Sequence, residues 1–167
     1  MSMDGGWQST SGFVLLASAA CFAACAADTT DTADTSRCGE VNTVPGPTMR
    51  PGQNCLGCHQ EGFGDPDAPM FSAAGTVFDA ADSEHCDGVE GVKVFLTAAD
   101  GSELELTTNE VGNFYTREPL MPEGPGPRLE FEDRTVKMGR KLPTVPACNA
   151  CHDNPPLANA PGKIFAP

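Results

Sequence analysis

From residue 73 to residue 136 the apolar positions recur every second residue. Val92, Val94 and Leu96 alternate with Lys93, Phe95 and Thr97, and Leu104 and Leu106 alternate with Glu103 and Glu105. Successive side chains of a strand point to opposite faces, so this period of two predicts half-buried β-strands. Gly75-Thr76-Val77-Phe78 is a further short strand candidate, and Phe114-Tyr115 opens another. Leu129 and Phe131 alternate with Glu130 and Glu132 ahead of Thr135-Val136. The segments between them carry turn chemistry. Ala98-Ala99-Asp100-Gly101-Ser102 contains the Asp-Gly hairpin signal, Asn109-Glu110-Val111-Gly112-Asn113 is a second turn, and Pro119 to Pro127 is a Pro/Gly loop. Four to six short strands with Gly-rich turns predict a mainly β chain built as a small antiparallel β-sandwich.

The N-terminal region has a different pattern. Residues 13–25 form an uncharged apolar run, too short to span a bilayer, which needs about 20 residues, and ending in small residues. It has the length of a signal-peptide core, although no Lys or Arg precedes it. Ala23-Ala24-Cys25 and Ala19-Ala20-Cys21 each resemble a lipoprotein cleavage site, without the Leu expected three residues before the Cys. Residues 26–36 (AADTTDTADTS) hold no large apolar side chain and predict a disordered tether. The expectation is a signal peptide over 1–24 and a flexible linker over 25–37, anchored by lipid on Cys25. A buried apolar helix is the alternative for the N-terminal run.

The chain carries 23 acidic and 10 basic residues, a net charge of −13. That balance argues against nucleic acid as a partner, because neutralising phosphates requires Lys and Arg. It fits an acidic surface, either merely solvated or steering toward basic partners. With 15 Pro, 18 Gly and 7% aromatic residues, something besides side-chain burial is expected to help hold the fold.

The eight Cys fall at 21, 25, 38, 55, 58, 86, 148 and 151. Four of them belong to Cys55-Leu56-Gly57-Cys58-His59 and Cys148-Asn149-Ala150-Cys151-His152. With 8 Cys and 3 His in 167 residues, chance gives about 0.007 CxxCH matches. In covalent haem attachment two thiols add to the haem vinyl groups, and the adjacent His ligates the iron. Two Cys separated by two residues reach both vinyls from one turn of backbone. Cys55, Cys58, His59, Cys148, Cys151 and His152 are therefore the expected cofactor-binding residues for two haem c groups, with His59 and His152 as proximal ligands. Two CxxC pairs could instead hold a structural zinc, act as redox disulfides, form tight structural disulfides or carry an iron–sulfur cluster. Cys38 and Cys86 are left as a possible disulfide or as two free thiols.

A low-spin haem takes a second axial ligand, His or Met. His85 is the third His, and Met49, Met70, Met121 and Met138 are the Met candidates. Met138, ten residues before Cys148 and flanked by Lys137, Gly139 and Arg140, stands out from any apolar face and is preferred with His85 as a distal candidate. Packing or surface roles for these Met, a loop role for His85, and an open iron site are the alternatives.

Ala74-Gly75-Thr76-Val77-Phe78, Gly91-Val92-Lys93-Val94-Phe95-Leu96 and Thr107-Thr108-Asn109-Glu110-Val111-Gly112-Asn113-Phe114 resemble the carboxypeptidase-regulatory-like (transthyretin-like) β-sandwich over about residues 73 to 136. The resemblance implies a binding or scaffold module without catalytic residues. Arg50-Pro51-Gly52-Gln53-Asn54 with the first CxxCH, and the second CxxCH with Ala160-Pro161-Gly162-Lys163-Ile164, resemble bacterial cytochrome-c-like lipoproteins in which haem motifs flank such a sandwich. That resemblance implies haem binding and extracytoplasmic electron transfer.

The expected organisation is thus a first haem-binding segment at 38–72, the sandwich at 73–136 and a second haem-binding segment at 137–167. The expected activity is that of an electron carrier, not an enzyme, in the periplasm or on the outer membrane. Its partners would be extracytoplasmic redox proteins with basic docking surfaces, and its membrane contact the lipid anchor. The acidic surface should favour ferric iron and lower the potential. The alternatives are a non-redox surface lipoprotein whose CxxC pairs hold zinc or disulfides, and a dihaem peroxidase, for which no acid/base constellation is visible.

Overall fold

A computed structural model describes residues 43–62, 66–80, 87–153, 156–157 and 159–167. The N-terminal apolar run, the tether, Cys25, Cys38, His85 and Cys86 lie outside them. The described residues form six short strands and almost no helix: β1 (Ala73–Thr76), β2 (Lys93–Thr97), β3 (Glu103–Thr107), β4 (Asn113–Thr116), β5 (Arg128–Phe131) and β6 (Arg134–Lys137). They make two antiparallel sheets. One pairs β1 with β4, and the other runs in the order β3-β2-β5-β6. Among the described residues, no helix is long and apolar enough to cross a membrane.

The alternation read from the sequence sets the register. Val94 lies opposite Leu106 and Leu129, and Leu96 opposite Leu104, so these side chains share one face. That face packs with Ala73, Val77, Val92 and Phe114 into one core between the two sheets. The other face of the larger sheet is polar, with Lys93 and Glu105 paired at 2.9 Å. Phe95 lies on that outer face and is nevertheless buried. Arg128, its cross-strand neighbour, holds its guanidinium 3.7 Å from the ring centroid. Glu103, at 2.9 Å, and Glu130 fix the same guanidinium, so a cation covers the ring that the alternation leaves outward.

The first turn signal closes the β2–β3 hairpin, and the second carries the chain from β3 in one sheet to β4 in the other. The Ala98–Ser102 turn is held by Asp100, whose carboxylate accepts from the Ser102 amide at 2.9 Å and its hydroxyl at 2.6 Å. In the second turn the Asn109 side chain accepts from the amides of Val111 and Asn113. Gly112 follows at φ +77°, where a Cβ would lie 2.2 Å from the carbonyl of Val77. Only glycine fits a left-handed position with backbone that close.

The first strand begins two residues before the expected Gly75 and ends at Thr76. Beyond it the chain changes partners. Val77 donates to the Gly112 carbonyl at 2.9 Å, and Phe78 makes a parallel bridge to Phe165 near the C-terminus. Phe78 donates to Ile164, and Ala166 donates to Phe78, both at 2.8 Å. The C-terminal residues are thereby stitched beside the continuation of β1.

Candidate functional site

Both CxxCH segments fold as a single tight turn. Cys55–Gly57 forms a 3-10 turn and Cys148–Cys151 a one-turn helix, α1. In each, the His amide donates to the carbonyl of the first Cys at 2.9 Å, a helical i to i+4 bond. In each, the sulfur of the first Cys faces a carbonyl two residues upstream: Cys55 that of Gln53 at 3.5 Å, Cys148 that of Pro146 at 3.6 Å. None of the four Cys of these motifs is in a disulfide.

The two turns are joined through β1. Ala147 bridges Ala74 in parallel, and the Cβ of Cys148 approaches Gly75 so closely that a Cβ on Gly75 would lie 2.8 Å from it. Thr76, the polar residue of β1, is fully buried and is the hub. Its amide donates to Asn149 Oδ1 at 3.1 Å, and its hydroxyl donates to Asn113 Oδ1 at 2.8 Å. The same hydroxyl accepts from the Gly52 amide at 2.8 Å and from Asn149 Nδ2 at 3.1 Å. Asn149 Nδ2 also donates to the Gln53 carbonyl at 2.9 Å. Asn113 Nδ2 ties in the carbonyl of Met49 at 3.0 Å. Residues from both CxxCH segments therefore share one satisfied buried polar network.

The two imidazoles are held alike. His59 Nδ1 is 2.7 Å from the carbonyl of Pro69, and His152 Nδ1 is 2.9 Å from the carbonyl of Gly162, each ten residues downstream. A carbonyl can only accept, so Nδ1 carries the proton and Nε2 keeps the lone pair of the neutral ring. A backbone acceptor behind a His in this way fixes the tautomer and raises the basicity of the other nitrogen toward a metal. The His59 ring is also clamped by a stack. Its centroid is 4.4 Å from that of Phe71, which lies 4.5 Å from that of Tyr115, both pairs tilted by 20°.

Both His line one cleft of about 830 Å³, together with Cys55, Cys58, Met49, Phe71, Phe78 and Tyr115. That volume lies in the range of small-molecule and cofactor sites. Met49 borders this cleft. Met138 follows β6 at the edge of the larger sheet, donates its amide to Pro127, and is not among the cleft-lining residues. Burial pushes the Cys55 thiol up to about 11. Burial, reinforced by the charges of Cys55 and Cys151, pushes that of Cys148 up to about 12. Among the described residues, no three His, Cys, Asp or Glu side chains converge as the ligands of a bare metal ion.

The sequence pattern identified the Cys and His but not their supports. Thr76 carried a readable signal as a polar residue inside an apolar strand, and Asn149 another inside a CxxC. Phe71, Pro69 and Gly162 carried none, because their roles come from backbone course. Comparison of the chain with family models, with curated proteins and with solved structures finds no match.

Proposed function

We propose that this chain is an exported dihaem c-type cytochrome that carries single electrons between extracytoplasmic partners, tethered to a membrane by lipid on Cys25. One observation carries the reading. Two CxxCH turns, unrelated in flanking sequence, present their His in the same way, Nδ1 tied to a carbonyl and Nε2 left as the ligand atom, on one cleft. A zinc or disulfide role needs the sulfurs drawn together and gives the two His no task, whereas haem attachment uses both the thiol spacing and the imidazole orientation.

In this reading Cys55, Cys58, Cys148 and Cys151 anchor two porphyrins through thioethers, and His59 and His152 ligate their irons. Haem iron supplies the one-electron Fe(II)/Fe(III) couple. The chain's own residues do the rest. The Thr76–Asn149–Gln53 network holds the two turns at a fixed separation, and the carbonyls of Pro69 and Gly162 hold the rings. The apolar walls contributed by Phe71, Phe78 and Phe114 restrict water in the cleft, which tunes the potential. Met49 replaces Met138 as the first Met to test as a distal ligand, because it borders the cleft.

The test is the full chain expressed in a host that attaches haem in the periplasm. A Soret band, haem staining after denaturing electrophoresis and an intact mass increased by two haem groups are expected. His59→Asn and His152→Asn should each keep the attached haem and convert one site to high spin. Colourless protein with the four sulfurs on zinc or on one another overturns the proposal.

A further inference from the structure

Among the described residues, the lining of the cleft carries a charge balance opposite to that of the chain. The whole sequence has 23 acidic and 10 basic residues. Among the described residues lining the cleft, the cations are Arg50, Arg117 and Lys163, against the carboxylates Asp67 and Asp153. Outside the cleft, Lys93 pairs with Glu105, Arg128 with Glu103, Arg134 with Glu132 and Lys141 with Glu123.

Each of the three cleft cations is placed by an element that also sets a CxxCH motif. Arg50 donates to the Gln53 side chain at 3.2 Å, and the Gln53 carbonyl in turn faces the Cys55 sulfur. Its backbone sits at φ +45°, a left-handed conformation that costs a non-glycine residue energy and persists only where the surroundings impose it. Arg117 lies 6.0 Å from the centroid of Phe71, the ring stacked on His59. Lys163 follows Gly162, whose carbonyl accepts from His152. Lys163 is only 4% exposed, with its ammonium 4.8 Å from the centroid of Phe78. Bringing a lysine into the interior is costly unless charge or π density offsets the lost hydration. An acidic protein that gathers cations around one apolar cleft is built to take an anion there.

We propose that Arg50, Arg117 and Lys163 form a cationic rim that receives the carboxylates of a largely apolar, planar ligand seated in the cleft. This rests on the haem reading, in which the carboxylates are the haem propionates. Guanidinium forks match carboxylates in a bidentate manner, and the buried ammonium supplies a point charge on the side of the second motif. The apolar walls and aromatic rings would hold the ring system while the rim fixes which edge points outward.

The full chain, produced without haem attachment, is titrated with mesoporphyrin, whose saturated vinyls cannot react with thiols, and with mesoporphyrin dimethyl ester. Porphyrin fluorescence reports binding, and circular dichroism verifies the fold of each variant. The free acid is expected to bind at least about tenfold more tightly than the ester, as a charged hydrogen-bonded contact requires. Arg50→Gln with Arg117→Gln should abolish most of that preference, and adding Lys163→Gln the remainder. Equal affinity for acid and ester overturns the rim and leaves the haem reading standing. Binding of succinate but of neither porphyrin supports the rim and removes the haem reading. A second measurement uses the haem-loaded chain, where Arg50→Gln and Arg117→Gln should each lower a midpoint potential at unchanged haem content. Unchanged potentials in both variants overturn the rim.

Discussion

The side-chain amide of Asn149 crosses 96 residues of sequence to donate to the carbonyl of Gln53 at 2.9 Å. Its oxygen accepts from the amide of Thr76 at 3.1 Å. A residue inside the second CxxCH thus fixes the approach to the first, with β1 between them. The spacing of the two motifs is set by buried hydrogen bonds rather than by apolar contact alone.

That arrangement predicts a large effect from Asn149→Ala. The substitution leaves the Thr76 amide and the Gln53 carbonyl without their side-chain partner in a site where Asn149 is 2% exposed. An unsatisfied buried group costs about 1–3 kcal/mol, so a loss of about 2–6 kcal/mol is expected for the pair. Urea denaturation of the full chain measures it. A loss below about 0.5 kcal/mol would show that the two turns are held together without this link.

Gly75 makes a second demand on the same junction. A Cβ there would fall 2.7 Å from Phe114 Cζ and 2.8 Å from Cys148 Cβ. Gly75→Ala must push α1 away from β1 or move Phe114 from the core. Overpacking of this kind costs about 1–3 kcal/mol. The same displacement should lower the yield of haem on the second motif relative to the first, read from the masses of the two attachment peptides. Equal yields would place the strain on Phe114 instead.

Much of the β scaffold was legible because its signals are local. The alternation of Val92, Val94 and Leu96 with Lys93, Phe95 and Thr97 gave β2, the Asp-Gly turn gave the connection from β2 to β3 and the Asn-x-x-Gly turn that from β3 to β4, since period and turn chemistry need no tertiary knowledge. The first strand shifted because Val77 and Phe78, which read as its continuation, bond to Gly112 and to the C-terminal residues instead. No local pattern announces a partner almost ninety residues away in a parallel bridge. Phe95 was buried against its alternation by Arg128, a cross-strand contact invisible before register is known.

The candidate site divides in the same way. CxxCH is a contiguous motif, so its Cys and His were readable. The carbonyls of Pro69 and Gly162 act through the backbone, where residue type leaves no mark. Met138 was chosen for its sequence neighbourhood, whereas Met49 reaches the cleft because Asn113 holds its carbonyl from β4.

The ring ladder from His59 through Phe71 to Tyr115 should be energetically coupled. Stacked pairs contribute about 0.5–1.5 kcal/mol beyond area burial. Phe71→Leu breaks both contacts and is expected to cost about 1–3 kcal/mol, while Tyr115→Leu, at a position 39% exposed, should cost less. A double-mutant cycle between the two should return a coupling of about 0.5–1.5 kcal/mol. Additive effects would mean the Phe71–Tyr115 stack is a coincidence of packing.

Finally, the leading thiols predict a pH dependence that haem attachment removes. The thiol of an unfolded chain titrates near 9.0, whereas burial raises Cys55 to about 11 and Cys148 to about 12. Well below pH 9.0 both thiols are protonated in the folded and unfolded chain, so they add no slope there. Above it the unfolded chain releases their protons and the folded chain retains them. Stability therefore falls as pH rises through this window, by up to about 1.4 kcal/mol per pH unit for each thiol. Lysines titrate nearby, and Cys55→Ser isolates the effect by removing one of the two contributions. The denaturant midpoint of the haem-free chain should thus fall more gently with pH in Cys55→Ser than in the parent. A thioether has no proton to lose, so the haem-loaded chain should show no difference in slope attributable to these sulfurs. A parent and a Cys55→Ser variant with identical slopes would mean that Cys55 is in contact with water, and that the first turn opens where the structure holds it closed.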